Sequence, residues 1–285
     1  ITLIIQNILI LGFLFFIFFN SNPFSKIIPI PTEGLGLNPI LQDPALAIHP
    51  PLLYLGFVGS SIYFSAAMSS LVTSYSGKSF ALSIKKWIVI SWSFQTLGIL
   101  VGSIWAYYEL GWGGFWFWDP VENSSLIPWF LMTALFHSIL VLEKRDGIYL
   151  WVIILSILTF TMSVTGTFLV RSGILNSVHT FANDPSRGMF ILTFLSIMIF
   201  SSVYIFYKFS PTEERSFKFF SKEFFILTNN WFMIFFLITV LIGTIYPIFL
   251  EVLTANKISV GPPFYNKLIL PFLIPFLIAM AIGPN

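Results

Sequence analysis

Three histidines and one short aromatic segment are the residues of this chain best suited to chemistry. The aromatic segment, residues 111–118, holds Trp112, Trp116 and Trp118 together with two phenylalanines and three glycines. Glycine lets the backbone approach a ligand closely, and clustered indole rings offer a broad apolar surface. The segment therefore suits a large planar hydrophobic ligand such as a porphyrin or a quinone, held on a flat aromatic shelf. Tryptophans that anchor a helix at the membrane interface are the alternative.

The histidines are the strongest candidate metal ligands, since the chain has no cysteine. His49 and His179 lie in polar stretches beside apolar runs, and imidazoles placed there suit the ligation of haem iron. Hydrogen bonding of both side chains to interfacial water is the alternative. His137 lies inside an apolar run, where an ionisable side chain is costly and therefore a functional candidate. A neutral His137 bonded to a neighbouring helix is its alternative.

Two acidic residues follow the aromatic segment directly. Asp119 precedes a proline and Glu122 stands three positions further on, which is the pattern of a helix N-cap with a capping box. Capping explains both carboxylates, and a role beside a ligand is the alternative. Arg171 and Arg187 flank the loop of His179. A guanidinium there either pairs with a carboxylate such as a haem propionate or extends to the membrane interface.

The composition indicates a membrane protein. Of 285 residues, 56% are hydrophobic and 9% are charged, whereas soluble domains carry about 25% charged residues. A mean hydropathy of +0.88 excludes disorder, a coiled coil and a collagen-like fibre. The 14 basic and 12 acidic residues lack the basic excess of a nucleic-acid-binding protein. The absence of cysteine removes disulfides, thiolate metal sites and iron–sulfur clusters.

Eight apolar runs approach or exceed the roughly 20 residues that a helix needs to cross a bilayer. They lie at 2–19, 48–72, 86–108, 124–142, 148–170, 188–208, 224–250 and 266–283. The sequence therefore predicts an all-α polytopic membrane bundle with about eight transmembrane helices. The first run follows no charged segment and precedes no small-residue cleavage site, so we expect a retained helix instead of a signal peptide.

Basic residues orient this bundle. Five lysines and arginines fall in loops on one side and nine on the other. The larger set is Lys78, Lys85, Lys86, Lys144, Arg145, Lys208, Arg215, Lys218 and Lys222. The positive-inside rule then places both termini inside, and the aromatic segment with His49 and His179 outside. The two sides are termed the inner end and the outer end of the bundle.

The run from Trp112 to Asn123, WGGFWFWDPVEN, resembles the WWD signature of haem-handling proteins. Its DPVEN continuation is similar to the F component of the cytochrome c maturation system, the haem lyase. Residues 37–51, 166–173 and 257–264 resemble the same family in the same order. The resemblance covers residues 33 to about 285, and four ordered matches argue against chance agreement.

The resemblance implies a role for each candidate residue. His49 and His179 match the two outer histidines that ligate the incoming haem, and His137 matches a membrane histidine that ligates a permanent b-type haem. The segment that holds haem for attachment is matched by Trp112, Trp116, Trp118, Asp119 and Glu122. The reaction implied joins haem vinyl groups to the two thiols of a Cys-x-x-Cys-His apocytochrome c as thioethers.

Partners follow from the same resemblance: apocytochrome c, a haem chaperone and a thiol-presenting maturation subunit. The family's second membrane histidine has no counterpart among the three histidines here. We therefore expect a split or partial form. A complementary haem lyase polypeptide supplies the second haem b ligand, or the haem b site is lost. We expect the first transmembrane helix and its linker at 1–30 and the haem-handling core at 31–285, with the WWD segment at 111–129.

Two functions from different classes remain. The first is a membrane subunit of the haem lyase, which presents haem at the outer face for attachment to apocytochrome c. The alternative is a non-catalytic structural membrane subunit of a respiratory-chain assembly derived from the haem lyase fold. A haem carrier is disfavoured by the number of spans. The 34 phenylalanines hint at an AT-rich organellar genome, so we expect the mitochondrial inner membrane, with the bacterial plasma membrane as the alternative.

Overall fold

The computed structural model describes residues 1–34, 36–111, 114–175, 177, 184–211, 221–254 and 258–282. Eight α-helices make up most of these ranges. Their bounds are Thr2–Phe19 (α1), Pro44–Thr73 (α2), Gly77–Glu109 (α3), Pro120–Arg145 (α4), Tyr149–Arg171 (α5), Pro185–Phe209 (α6), Lys222–Thr254 (α7) and Pro262–Ile282 (α8). A single 3-10 turn at Pro39–Leu41 precedes α2, and the ranges contain no strand.

Every one of these helices is long and apolar enough to span a membrane. This confirms the all-α integral membrane bundle predicted from the sequence, with one helix for each predicted span. The largest boundary difference is at α3, which begins at Gly77 although its apolar run begins at 86. Hydropathy detects only the lipid-embedded part of a helix. The first turns of α3 carry Lys78, Lys85 and Lys86 and continue the helix beyond that part.

The centre of the bundle is built from α2, α4 and α5. Tyr63, Met132, Leu135 and Ile153 from these helices are fully buried. α2 packs against α3 and α5, and α4 packs against α3, α5 and α7. α8 lies on α7, while α1 lies against α2 and α6. The candidates His49, His137 and Arg171 therefore lie on the three central helices.

An Asp-Pro pair begins each of three helices at the outer end. Asp43, Asp119 and Asp184 are the N-caps of α2, α4 and α6, and each carboxylate accepts hydrogen bonds from first-turn backbone N–H groups. The proline that follows occupies the first helical position, where its missing N–H costs nothing. Three fixed helix starts at one end give the loops between them defined anchor points.

Small residues bring α2 and α3 into close contact near the outer end. A Cβ on Gly102 of α3 would collide with the ring of His49, and one on Gly98 would lie 2.8 Å from the backbone nitrogen of Leu53. Membrane helices approach this closely where glycines stand four residues apart. The interface therefore has room for the imidazole of His49 between the two helices.

The inner end has short loops between α2 and α3 and between α4 and α5, together with ion pairs. Lys85 Nζ lies 2.7 Å from Glu143 Oε2, and Arg145 Nη1 lies 3.0 Å from Glu223 Oε1. α2 and α4 both end there in left-handed C-cap residues, Ser74 and Asp146. Which end faces the outside stays a prediction from the distribution of basic residues.

Candidate functional site

A cavity of about 280 Å³ lies between α2, α4 and α5 at the outer end. Its mostly apolar wall includes His49 from α2 and Arg171 from the last residue of α5. Gly166 also lines it, and a Cβ there would lie 3.0 Å from the carbonyl oxygen of Ser124 in α4. The structure therefore brings two predicted haem-site residues into one cavity.

The imidazole of His49 is held by a backbone contact. Its Nδ1 atom lies 2.7 Å from the carbonyl oxygen of Gly98. Because a carbonyl oxygen only accepts, Nδ1 carries the hydrogen, and the neutral ring has its lone pair on Nε2. Proteins commonly orient metal-ligating histidines with such a bond from the non-ligating nitrogen. The geometry suits His49 to ligate a metal through Nε2.

A second, smaller cavity of about 50 Å³ is lined by His49, Trp116 and Glu122. The Nε1 atom of Trp116 is buried and has no hydrogen-bond partner among the residues that the structure describes. A buried indole N–H without an acceptor is costly, so a polar group entering this space would be favoured there. Among the tryptophans of the aromatic segment that the structure describes, Trp116 is the one that lines a cavity together with His49.

Two other described rings of the aromatic segment, those of Trp118 and Phe115, pack against other helices. The ring of Trp118 stacks on Tyr265 of α8, with centroids 4.3 Å apart and an interplanar angle of 11°. Trp116 meets Trp118 edge-on at 88°, so these two rings do not form the single flat shelf expected from the sequence. Phe115 stacks on Tyr107 of α3 at a centroid distance of 4.6 Å. One segment therefore serves both packing and cavity lining.

The predicted capping box is present at the start of α4. Asp119 Oδ2 accepts from the backbone nitrogen of Val121 at 2.9 Å. Glu122 Oε2 accepts from the backbone nitrogens of Asp119 and Phe117, each at 3.1 Å. The hydroxyl of Ser177 donates to Asp119 Oδ2 at 2.7 Å and ties the loop after α5 to this helix start. The capping interpretation of both carboxylates is confirmed.

His137 lies far from this cavity pair. It stands 12 residues after Ser125, the last residue of α4 that lines either cavity, which is about 18 Å along the helix axis. The side chain is half-buried, and its Nδ1 atom lies 2.8 Å from the carbonyl oxygen of Thr133 in the same helix. His137 lines neither of the two cavities at the outer end. Any site at His137 is separate from the site at His49.

The remaining predicted site residues are less well defined. Trp112 and His179 lie outside the described residues. Arg187 Nε lies 3.2 Å from Asp184 Oδ2 and 3.3 Å from the carbonyl oxygen of Asn20, and it lines neither cavity. Hydrogen bonds from the Ser186 hydroxyl and from backbone N–H groups lower the pKa of Asp184 below its usual value. Of the two arginines, only Arg171 is placed to contact a ligand.

Sequence reasoning missed four residues that shape the site. Gly98 and Gly102 make room for His49, and their spacing within one apolar run was the available signal. In the sequence, Asn123 is marked only as the last residue of the DPVEN run. Tyr265 stands one position after the stretch that resembles the haem lyase family, and nothing in the sequence pairs it with Trp118.

This chain is similar to known proteins both in sequence and in fold. Residues 1–175 match the family described as cytochrome C assembly protein. The cytochrome c-type biogenesis protein CycK of Rhizobium meliloti is 47% identical over 285 residues, which cover 99% of this chain and 42% of the relative. The cytochrome c-type biogenesis protein CcmF of Escherichia coli (strain K12) is 45% identical over 287 residues, which cover 99% and 44%.

A solved structure is also similar. The structure titled cytochrome c heme lyase CcmF matches with a TM-score of 0.68 and 29% sequence identity, over 85% of this chain and 36% of that one. The chain spans less than half the length of the curated relatives that it matches.

Proposed function

Because this chain belongs to the cytochrome c assembly protein family, we propose that it is a membrane subunit of the haem lyase of c-type cytochrome biogenesis. It binds haem at the outer end and presents it for thioether attachment to apocytochrome c. The observation that carries this proposal is the cavity lined by both His49 and Arg171. Haem is the substrate of this site.

The cavity contains two of the residues proposed to bind haem, His49 and Arg171. His49 offers Nε2 to the iron while Gly98 holds its Nδ1, and His179 is proposed as the ligand on the opposite side of the iron. Arg171 pairs with a propionate, because a guanidinium binds a carboxylate through two parallel hydrogen bonds. The porphyrin edge contacts the apolar wall, which includes Leu46, Leu53, Phe57 and Val170.

The reaction depends mainly on the positioning of haem and client, and less on proton transfer by side chains of this chain. A thiol S–H of the Cys-x-x-Cys-His client adds across a haem vinyl group. The sulfur–carbon bond forms and the hydrogen goes to the other vinyl carbon, so no oxidant or reductant is consumed. Holding the vinyl groups beside the thiols supplies the rate enhancement. Trp112 and Trp116 are proposed to provide the apolar surface, Trp118 anchors it to α8 through Tyr265, and Asp119 and Glu122 fix it to the start of α4.

The outer site works with other polypeptides. Apocytochrome c brings the thiols, a haem chaperone delivers haem, and a thiol-presenting maturation subunit keeps the client reduced. A complementary haem lyase polypeptide supplies the second ligand if His137 holds a b-type haem. Within this chain, residues 1–30 provide a first helix with its linker and residues 31–285 provide the haem-handling core.

The membrane in which the proposed reaction takes place is the one at which apocytochrome c is matured. c-type cytochrome assembly takes place at the mitochondrial inner membrane or the bacterial plasma membrane. Both relatives named above come from bacteria, which favours the plasma membrane over the mitochondrial location expected from the phenylalanine content. Fractionation of the native source distinguishes the two.

Haem titration of the purified protein, together with its partner chains, tests the proposal. His49→Ala is expected to lower haem affinity at least tenfold, because the iron loses one of two axial ligands. Added imidazole should restore part of that affinity by occupying the space of the missing ring. His137→Ala is the matched control and should leave the outer-end haem unchanged.

The opposite result would leave a different function. Unchanged haem capture and wild-type cytochrome c maturation in both His49→Ala and His179→Ala would refute the ligand assignment. The chain would then be a structural membrane subunit that keeps the haem lyase fold without its activity.

A further inference from the structure

The stretch at 257–264 resembles the haem lyase family, yet the haem site proposed above uses none of its residues. Its described part leads into Phe264 and Tyr265 in the first turn of α8. Tyr265 is 1% exposed, and its ring stacks on Trp118 of the aromatic segment at a centroid distance of 4.3 Å. The residue that follows this stretch therefore contacts the aromatic segment, whose Trp116 lines the smaller cavity.

A polar junction lies beside that stack. The amide nitrogen Nδ2 of Asn123 lies 3.1 Å from the carbonyl oxygen of Trp118 and 3.0 Å from the hydroxyl oxygens of both Thr244 and Tyr265. Asn123 is fully buried, and Thr244 is 2% exposed. Gly243 makes room for this arrangement, since a Cβ there would lie 2.6 Å from the Tyr265 hydroxyl. One amide thus joins the aromatic segment to α7 and α8.

The backbone of Trp118 explains why such a junction is required. Trp118 has a φ of +59°, a left-handed conformation that residues with a bulky side chain rarely adopt. Such a conformation persists only where the surroundings fix it. Here the ring of Trp118 stacks on Tyr265, and its carbonyl oxygen accepts a hydrogen bond from Asn123.

We infer that Asn123, Thr244 and Tyr265 are positioning residues that set the orientation of the aromatic segment. Their effect reaches the cavity through Trp116, which packs edge-on against Trp118 at a centroid distance of 6.1 Å and lines the smaller cavity together with His49. The consequence for haem rests on the proposed function. The anchoring itself is a property of the folded chain and is measured without haem.

Two conservative variants remove the polar junction and keep its shape. Tyr265→Phe retains the ring that stacks on Trp118 and loses the hydroxyl, while Thr244→Val loses the other hydroxyl. Tyr246→Phe is the matched control, because Tyr246 lies in the same part of α7 and is 51% exposed. All are compared in lipid nanodiscs as the full protein with its partner chains, by hydrogen exchange and by haemin titration.

Hydrogen exchange of the peptide covering 114–123 is the first measurement. We expect exchange about fivefold faster in Tyr265→Phe and in Thr244→Val, since each removes one of the three oxygen acceptors that surround the Asn123 amide nitrogen. Residues 127–142 of α4 and the control variant should exchange as in the wild type. Unchanged exchange at 114–123 in both variants would overturn the inference, whether or not the protein binds haem.

Haemin affinity and the absorption spectrum of the bound haem are the second measurement. A positioning role predicts affinity about threefold to tenfold lower in both variants, with a shifted absorption band and an unchanged melting temperature. Faster exchange with wild-type affinity and spectrum would overturn the positioning role. A wild-type protein that binds no haemin would overturn the proposed function instead, and the exchange result would still decide the anchoring.

Discussion

The two ends of the bundle solve the same problem, joining antiparallel helices, in different ways. At the inner end the described loops are short and ion pairs such as Lys85–Glu143 close the surface. At the outer end, helices begin at fixed Asp-Pro caps, and the loop between α3 and α4 carries the aromatic segment. Two cavities lie at that end. The space available to a ligand therefore lies beside fixed helix starts and the aromatic segment.

The same contrast exists inside the aromatic segment. Trp118 is stacked on Tyr265 and acts as an anchor. Trp116, two positions earlier, lines a cavity with His49 and keeps a buried N–H without a described partner. Two tryptophans of one motif can therefore have different roles: Trp118 stabilises the fold, and Trp116 lines the cavity proposed for the ligand.

The largest expected effect comes from filling the space beside His49. In Gly102→Ala the new methyl group would collide with the imidazole, so we expect haem affinity at least tenfold lower and a loss of stability of about 1–3 kcal/mol. Haemin titration and thermal unfolding measure the two effects.

Gly147→Ala is the control for that prediction, because a Cβ at Gly147 of the inner end meets nothing within 4 Å. Its stability should stay within about 0.5 kcal/mol of the wild type, with unchanged haem affinity. Equal effects of the two substitutions would mean that the outer end is no more constrained than the inner one.

The two tryptophans provide an intermediate effect. Trp118→Leu should destabilise the protein by about 2 kcal/mol, since a half-buried ring stacked on Tyr265 is lost. Trp116→Leu should leave stability nearly unchanged and lower haem affinity several-fold. Parallel unfolding and haemin titrations of both variants separate these outcomes. A reversed pattern would exchange the roles assigned to the two rings.

The smallest effect is expected at the inner end. Lys85→Ala breaks the pair with Glu143, whose two side chains are 34% and 17% exposed. Partly exposed ion pairs contribute little, so we expect a loss of about 0.5 kcal/mol or less and wild-type haem capture. A loss of haem capture in this variant would show that the two ends are coupled through α3 or α4.

Much of the fold was predictable because its signals are local. Runs of apolar residues near the thickness of a bilayer located all eight helices. The Asp119-x-x-Glu122 spacing located the capping box at the start of α4. The site was only partly predictable: the candidates His49 and Arg171 line one cavity, whereas the flat shelf expected from the sequence is not formed by Trp116 and Trp118. The sequence does not reveal the positive φ of Trp118, and with that backbone conformation the ring of Trp118 stacks on Tyr265 of α8.

The sequence by itself determined that this is an integral membrane protein, the number of its predicted spans, the cap of α4 and the residue types proposed to bind haem. These properties depend on composition and on neighbours within one helical turn, so no long-range contact is needed to find them. Only the tertiary structure decided which candidates meet. The Nδ1 bond of His49 to Gly98 joins residues 49 positions apart, and the Asn123 junction joins residues up to 142 positions apart. Such contacts arise when helices pack, because packing alone selects which side chains share a buried space.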